Sequence, residues 1–552
     1  MEVATAWVKP PPQIGGLDHL AVQAPCVNVY ARLLPGITNV TDRARYYSFY
    51  PWLIWAFDNA GLTVYDNDFV ERFRRADVLF TLIAIRHAIK SGDAYENHAG
   101  ATVGNSTLYE ITTNLADNPG IRLSDYSLRE GAKTRYFKNK LGGLGQYYLG
   151  VLREFEILDG DAAQGIRYTS QIGQPIAEQF DAGFDSALFL SAVEADFVTV
   201  RDLDALNIIC PCGLSKNRGE KDILGKLFFA REGFFNEEAL PRRRTFQSIL
   251  HLADYLNNQE HELSEATFRA CIYSGALPNG AVWPVPPTLS GNRRKWRIYA
   301  TNELLSVAVQ GLFHALLDGY EESGLRFDAG DQVVDWFLET PEAIETLARL
   351  GSERTYGEYL ANAAYGLPDL TDWQSQGHEV QLSDAIIRLS ASRAEKSCEN
   401  RVEILIAAFQ ILAALAQRRS GATQGYGDLH FDSRYFSYYP INLKSFDFHV
   451  ENSWPALSVR DVFRWLLLNW GIDVHLGVAL RKLRGQSKST FRIRPSDRGM
   501  EVIAVPSAVH TRPRFRQAIR ILKDLGALEM TETGQWRPSA FGVAMVDIGD
   551  AP

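Results

Sequence analysis

The sequence predicts a mainly α-helical protein of several domains that also contains two small winged-helix (α+β) modules. The chain has 552 residues, which allows three or four domains at roughly 150 residues each. Apolar residues recur at helical spacing over most of the chain, and a helix followed by a Gly-turned hairpin occurs twice. We therefore divide the chain into five predicted ranges, 1–125, 126–183, 184–420, 421–500 and 501–552.

The N-terminal range is predicted to be a helical domain whose most distinctive feature is an aromatic-arginine motif at 32–52. In the helix that this motif predicts, Arg43, Tyr46, Tyr47 and Tyr50 share one face. Arginine beside aromatic rings can stack bases or bind phosphate. The alternative, which the long aromatic run favours, is a core helix whose arginines form salt bridges inside the domain.

The range 126–183 follows the winged-helix order. Its predicted elements are helices at 128–140, 144–155 and 169–180 and a hairpin that turns at 159–161. A winged helix places one helix in the major groove of DNA, and the hairpin contacts the neighbouring backbone. Lys138 and Lys140 precede the candidate recognition helix.

The next two ranges are predicted to be a central helical domain and a mixed segment. The clearest central helices cover 245–258 and 298–317. The mixed segment, 421–500, combines a Gly/Tyr-rich loop with a basic helical region at 458–484 that is interrupted near Gly471. Ser458 is predicted to cap this helix.

The C-terminal range is the second predicted winged-helix module, with a helix that Thr511 caps and a hairpin at Thr533 and Gly534. The arginines of this helix fall on the side opposite its apolar stripe or at the borders of that stripe, which suits contact with phosphates and base edges. The candidate nucleic-acid-binding residues are Arg481, Lys482, Arg484, Lys488, Arg492, Arg494, Arg512, Arg514, Arg516, Arg520 and Arg537, together with Lys138 and Lys140. A solvated face of the helix is the alternative interpretation.

Composition and charge exclude several classes of protein. The net charge is −9, so contact with nucleic acid requires local basic patches rather than a basic surface. Neither a signal peptide nor an apolar run of the ~20 residues that span a bilayer is present. The five cysteines are few and scattered, which is typical of a reducing cytoplasm.

Metal and catalytic motifs are sparse. Cys210 and Cys212 form the only close cysteine pair, which we interpret as buried structural thiols because no second cysteine pair completes a ligand set. Asp428, His430 and Asp432 alternate along the chain and would converge on a metal ion in an extended strand, although a turn-rich surface loop explains them equally well. The phosphate-loop, G-x-S-x-G and H-E-x-x-H motifs do not occur, so no catalytic residue and no cofactor is predicted.

The stretch LLPGITNVTDRARYYSFYPWLIWAF resembles a bacterial domain-of-unknown-function family with a T-x-R-A-R-Y-[YF]-x-F-x-P-W signature. The blocks GGLGQYYLGVLREFEIL, YTSQIGQPIA and HLGVALRKLRGQSKSTFRIRP are similar to later parts of such proteins. Genes of this family often sit in defence or mobile islands. The resemblance implies a bacterial cytoplasmic source and a role in a multi-protein system that handles foreign DNA. It carries over no catalytic residue.

We therefore expect a DNA-engaging, non-catalytic component of a bacterial multi-protein system, directed against phage or plasmid DNA. Its partners would be DNA and the products of neighbouring genes, with no membrane involved. Two alternatives stay open, a metal-dependent nuclease with a diverged site and a scaffold that docks other proteins.

Overall fold

A computed structural model describes residues 18–62, 67–113, 120–128, 139–161, 165–392, 398–418, 439–483 and 489–546. Helix accounts for 65% of the structure and strand for 7%. Every sheet in these ranges is a pair of antiparallel strands. The predicted mainly α-helical class is therefore confirmed. In the same ranges, no helix combines the length and apolar character that crossing a membrane requires.

The chain folds into two compact units. Unit one comprises Met1–Arg32 and Ala266–Pro513, and unit two comprises Leu33–Glu265 and Arg514–Pro552. Each unit is therefore assembled from two separate stretches of the sequence.

Unit one is built around the helix Pro287–Ser323. Pro287 occupies its first turn, where the missing N–H costs no hydrogen bond, and Gly324 ends it in the left-handed region at φ 65°. The remaining helices of unit one are Gln23–Leu33, Glu265–Ser274, Gly330–Phe337, Pro341–Leu350, Tyr356–Ala363, Glu379–Ala391, Cys398–Arg418, Leu443–Phe448, Val459–Trp465 and Val474–Leu483. Its π-helical segments are His449–Ser453 and Leu466–Asp473, its 3₁₀ turn is Ala364–Gly366, and its strands are Ile493–Ser496 and Gly499–Val502.

The basic helical region predicted at 458–484 is observed, and it is interrupted where the sequence predicted. The π-helical segment Leu466–Asp473, which contains Gly471, separates two α-helices. Ser458 Oγ accepts the Asp461 N–H at 3.0 Å, so the predicted cap is confirmed.

Unit two is built around the helices Tyr46–Asn59 and Asn67–Ser91, both of which bury most of their side chains. Its other helices are Tyr95–His98, Asn105–Thr113, Ser124–Ser127, Leu149–Glu154, Gly173–Asp181, Ser186–Glu194, Val200–Ala205, Arg218–Phe228, Leu240–Asn257, Phe515–Asp524 and Ala540–Val546. The π-helical segment Leu144–Tyr148 and the 3₁₀ turns Asn207–Ile209, Pro211–Lys216 and Glu237–Ala239 complete the helical part. The strands are Gly120–Arg122, Leu158–Asp161, Gly165–Tyr168, Phe197–Thr199, Leu528–Met530 and Trp536–Pro538.

Unit two contains two helix–hairpin–helix segments that match in detail, at 149–181 and 515–546. After the first helix of each, a residue with positive φ turns the chain, Glu156 at 56° and Gly526 at 66°. The carbonyl oxygen of that residue accepts a hydroxyl hydrogen bond of 2.6 Å, from Thr169 in one segment and from Ser539 in the other. The repeated order of elements that the sequence suggested is thus present in the fold.

In the described residues the structure shows the helix–hairpin–helix order and not the complete winged helices that the sequence predicted. Most of the helix predicted at 128–140 lies outside them. In the C-terminal range the helix begins at Phe515, so the prediction that Thr511 caps it is wrong. The physical reason is that both the backbone N–H and the hydroxyl of Thr511 donate to the Glu303 carboxylate, which leaves the hydroxyl engaged elsewhere.

Candidate metal centre

Four side chains of unit two converge on one point: His87, His98, Cys210 and Cys212. His87 lies near the end of the second long helix, and His98 is the last residue of the short helix that follows. The two cysteines flank Pro211 at the start of a 3₁₀ turn. Their potential ligand atoms all lie within 4.8 Å of one another. His98 and Cys210 are buried, whereas His87 and Cys212 are half-buried.

Four of the six separations between these ligand atoms are close to those around a tetrahedral ion. The Nδ1 atoms of His87 and His98 are 3.2 Å apart, and the two sulfurs are 3.4 Å apart. The distance from Nδ1 to Sγ is 3.6 Å for His98 and Cys210 and 3.4 Å for His87 and Cys212. Zn–N and Zn–S bonds of ordinary length in a tetrahedron give about 3.3 Å between nitrogens, 3.6 Å from nitrogen to sulfur and 3.8 Å between sulfurs. The other two nitrogen-to-sulfur separations are within 4.8 Å, so a tetrahedral zinc ion would draw each cysteine closer to the histidine across the cluster.

The second ring nitrogen of His98 is already engaged. Its Nε2 lies 3.2 Å from Ser91 Oγ and 3.4 Å from Asp93 Oδ2. A carboxylate on the far nitrogen of a metal-binding histidine fixes the tautomer and makes the near nitrogen a better donor. Asp93 therefore holds His98 with Nδ1 directed to the cluster.

The two thiols have opposite pKa shifts. A hydrogen bond with Cys210 is the largest cause that lowers the pKa of Cys212 to about 5, and it outweighs burial with the help of His98 and His87. Burial raises the pKa of Cys210 well above its usual value, and the hydrogen bond with Cys212 raises it further. One thiolate is therefore available at neutral pH, and a cation that displaces the proton between the sulfurs would provide the second.

Arg43 holds the segment that carries His98. Its Nη1 donates to the carbonyl oxygens of Glu96, His98 and Gly100 at 3.3, 3.4 and 3.0 Å. Its Nη2 donates to Asn97 O at 3.1 Å. Four carbonyl groups of one short segment are thus bound by a single guanidinium group.

The guanidinium group of Arg43 also forms a bidentate ion pair with Asp524. This residue ends the helix Phe515–Asp524, which we call the C-terminal helix. Nε lies 3.0 Å from Oδ2 and Nη2 lies 2.8 Å from Oδ1, and both side chains are almost fully buried. Burial alone would lower the pKa of Arg43, but Asp524 first, and then Cys210 and Cys212, outweigh it and raise that pKa. Arg43 is therefore a permanent positive charge beside the thiols.

Arg45 holds the cysteine segment in the same way. Its Nη1 donates to the carbonyl oxygens of Ile208 and Cys210, each at 2.6 Å, and its Nη2 lies 2.6 Å from Glu220 Oε2. Ser48 Oγ donates to the other oxygen of Glu220 at 2.6 Å. Arg43 and Arg45 of the aromatic-arginine motif thus bind the two segments that carry three of the four candidate ligands.

The aromatic residues of the motif form core and do not form a binding platform. The rings of Tyr46, Tyr47 and Tyr50 are completely buried. The hydroxyl of Tyr47 donates to Gly36 O at 2.7 Å, and that of Tyr50 donates to Asp77 Oδ1 at 3.0 Å. The structure confirms the interpretation as a core helix with internally paired arginines, because no ring face is left for a base.

Several residues predicted to bind nucleic acid in unit one are turned inward or paired. Lys482 is 6% exposed, and its Nζ donates to Asp18 O at 2.6 Å. Burial lowers the pKa of Lys482. Arg492 is half-buried, and its Nε donates to His19 Nε2 at 3.0 Å. Arg481 is also half-buried and donates to a carbonyl oxygen of its own helix. Arg494 is exposed and lies 3.4 Å from Glu501.

The arginines of the C-terminal segment divide into an inward and an outward set. Arg514 Nη1 donates to Leu34 O at 3.1 Å, and Arg520, 15% exposed, pairs with Asp42 at 2.5 Å. Arg512, Arg516 and Arg537 are exposed. Arg516 lies 3.7 Å from Glu96, and Arg537 lies 2.7 Å from Glu529. The sequence pattern separated charged from apolar positions, but it could not show that acidic residues of the N-terminal part of the chain face this helix.

The remaining predicted residues are either exposed or outside the described ranges. Lys140 is exposed. Lys138, Arg484 and Lys488, and the weak metal candidates Asp428, His430 and Asp432, lie outside the described residues.

The sequence did not indicate a metal site at Cys210 and Cys212, because no second pair of cysteines accompanies them. The second pair consists of His87 and His98, which are separated by ten residues and precede the cysteines by more than a hundred. The spacing C-x-C with H-x₁₀-H does not match the usual short zinc motifs. The sequence pattern that could have suggested the metal site is the close cysteine pair together with two histidines on either side of the end of the helix Asn67–Ser91.

Comparison of the chain with protein-family models, with curated proteins and with solved structures gave no match in any of the three.

Proposed function

We propose that the chain binds one Zn²⁺ ion through His87, His98, Cys210 and Cys212, and that this ion has a structural, non-catalytic role. The observation that carries the proposal is the convergence of four protein ligands whose donor atoms lie within 4.8 Å of one another, four of the six separations being 3.2–3.6 Å. Four protein ligands leave no coordination position for water, and catalytic zinc sites keep such a position open. A set of two sulfurs and two nitrogens favours zinc among the divalent metals because its ligands are soft and tetrahedral.

The electrostatics of the surroundings support a divalent cation. Two thiolates and two neutral imidazoles balance the charge of Zn²⁺. The nearby charge of Arg43 is balanced separately by Asp524. The holo site therefore buries no uncompensated charge, which would be costly.

The experiment is to purify the protein without added metal and measure its metal content by mass spectrometry. We expect about one zinc per chain and, after exchange for Co²⁺, the visible and sulfur-to-metal absorption of a tetrahedral thiolate site. Cys212→Ser and His98→Asn should lose both. Cys398→Ser is the matched control, since that cysteine is half-buried in unit one. A wild-type protein that binds neither metal would overturn the proposal.

We also propose that the two helix–hairpin–helix segments act as winged-helix modules and that the C-terminal one engages DNA. This is supported by the exposed arginines that this segment carries in unit two, Arg516 on the helix and Arg537 on the hairpin. In winged helices a helix enters the major groove of duplex DNA and the flanking hairpin contacts the neighbouring backbone.

The test is the affinity for duplex DNA at two salt concentrations for wild type and a double Arg516/Arg537→Ala variant. The loss of up to two phosphate contacts should reduce affinity about tenfold and flatten the dependence on salt by ~0.9 per contact. A double Arg122/Arg201→Ala variant is the control, because both are exposed arginines of unit two that lie outside the segment 515–546. Equal effects of the two variants would count against a specific surface.

The proposed assembly with other components of a foreign-DNA system stays a prediction that rests on the resemblance. Pull-down with the products of neighbouring genes would test it.

A further inference from the structure

Arg43 contacts residues 96–100, which include the candidate ligand His98, and it also contacts the C-terminal helix. Its five N–H groups donate to four carbonyl oxygens at 96–100 and to both carboxylate oxygens of Asp524. Resting on the proposed zinc function, we infer that Arg43 is a positioning residue for the metal and that, through Asp524, it couples zinc affinity to the docking of the C-terminal helix.

The geometry of the segment explains why it depends on Arg43. The helix Tyr95–His98 is a single turn, and so short a helix has little stability of its own. Its carbonyl oxygens point at the guanidinium group. Removing those bonds leaves buried acceptors unsatisfied and frees His98 to move away from Cys210, 3.6 Å away.

The C-terminal helix makes further contacts with the same segment. Arg520 pairs with Glu96, and Lys523 Nζ donates to Asn97 Oδ1. With Arg516, which lies 3.7 Å from Glu96, and the ion pair of Asp524, four side chains of this helix contact the segment directly or through Arg43. Docking of the helix therefore favours the conformation in which His98 faces the cysteines.

Coupling of this kind works in both directions. If the docked helix favours the metal-binding conformation, then bound metal favours the docked helix by the same factor. An ion bound by His87, His98, Cys210 and Cys212 thus stabilises the docked C-terminal helix, which begins more than 300 positions after the last of these ligands.

Lysine at position 43 tests the inference. An ammonium group cannot bridge four carbonyls and a carboxylate as a planar guanidinium does. We expect Arg43→Lys to weaken zinc binding 10- to 100-fold, the range typical of residues that support metal ligands. The measurement is competition for zinc against a chromophoric chelator.

Arg242→Lys is the matched control. Arg242 is also a buried arginine of unit two, and its guanidinium group donates to the carbonyl oxygens of Leu227, Phe228 and Pro35, none of which belongs to a candidate ligand segment. This variant should lose stability while its zinc affinity stays within about twofold of wild type. Equal losses of affinity in Arg43→Lys and Arg242→Lys would overturn the positioning role.

Hydrogen exchange tests the coupling. Removal of zinc from the wild type should speed exchange in the C-terminal helix at least tenfold, while the helix Leu240–Asn257 changes little. Asp524→Asn, which keeps the shape of the side chain and removes its charge, should weaken zinc binding and remove the effect of zinc on exchange. If zinc binds the wild type normally but Asp524→Asn binds it equally well, the coupling is wrong. If the wild type binds no zinc, the failure lies in the proposed function.

Discussion

Each unit of the molecule contains a polar cluster with histidine. In unit one, His510 lies between two carboxylates, with Nδ1 3.4 Å from Glu303 Oε1 and Nε2 3.3 Å from Asp384 Oδ1. In unit two, two histidines face two cysteines, and no carboxylate is among the four converging side chains. Glu303 is buried and His510 is half-buried, whereas Asp384 is exposed.

The difference lies in which cation makes each cluster stable. Burial alone would lower the pKa of His510, but its hydrogen bonds with Asp384 and Glu303 raise it. A proton on the ring therefore completes the cluster in unit one. The four potential ligand atoms in unit two lie within 4.8 Å of one another. In the zinc site proposed above, a shared divalent ion would complete that cluster, so the chemistry of the neighbours decides the role of each histidine.

The largest expected effect is the removal of metal. Chelation should increase hydrogen exchange throughout the segments that carry the ligands in unit two by ~100-fold, since an ion present at 100 times its Kd contributes about 2.7 kcal/mol. Peptides around His510 should exchange at an unchanged rate. Hydrogen exchange followed by mass spectrometry before and after chelation measures these rates. Faster exchange in unit one alone would contradict the assignment of the metal to unit two.

The second prediction concerns pH and unit one. Because the folded pKa of His510 is raised, the stabilisation from its charge is complete below its ordinary pKa of about 6.5 and is lost as pH rises through the folded value. His510→Gln should cost about 1.5–3 kcal/mol in the free energy of unfolding at pH 6 and less at high pH. Denaturant titration across this range measures it. A cost that grows with pH would contradict the assignment of a charged ring.

The smallest expected effect is that of Asp93, whose carboxylate supports His98 from a largely exposed position. Asp93→Asn should weaken zinc binding about tenfold or less, since the amide oxygen still accepts a hydrogen bond from the ring. The chelator competition assay resolves such a change. Glu110→Gln, an exposed side chain on the helix Asn105–Thr113, should have no effect.

Much of the fold could be predicted from periodicity, and the site could not. Helical spacing and caps such as Ser458 are local, so the sequence displays them directly. The aromatic run could be interpreted as core because large rings are rarely left exposed. The metal centre depends on a contact between segments more than a hundred residues apart, and the partners of Arg43 and Arg45 are mostly backbone carbonyls, which no residue type reveals.

The surface charge of the C-terminal segment shows the same limit. The amphipathic pattern predicted an arginine-bearing face, and Arg516 is indeed exposed at 64%. Arg520 lies one turn further along the same helix but is drawn inward by Asp42. Which arginines remain outside depends on acidic residues elsewhere in the chain.

The ion pair of Arg43 and Asp524 joins positions 481 residues apart, and this separation has a consequence for biogenesis. At a translation rate of ~5–20 residues per second, Arg43 is made roughly 25 to 100 seconds before its carboxylate partner exists. During that time Arg43 has no Asp524 with which to pair. Unit two stays incomplete until residues 266–513 of unit one have been synthesised. A chain that stops before residue 524 lacks the carboxylate that pairs with the buried guanidinium group of Arg43, and a buried charge without its partner is costly.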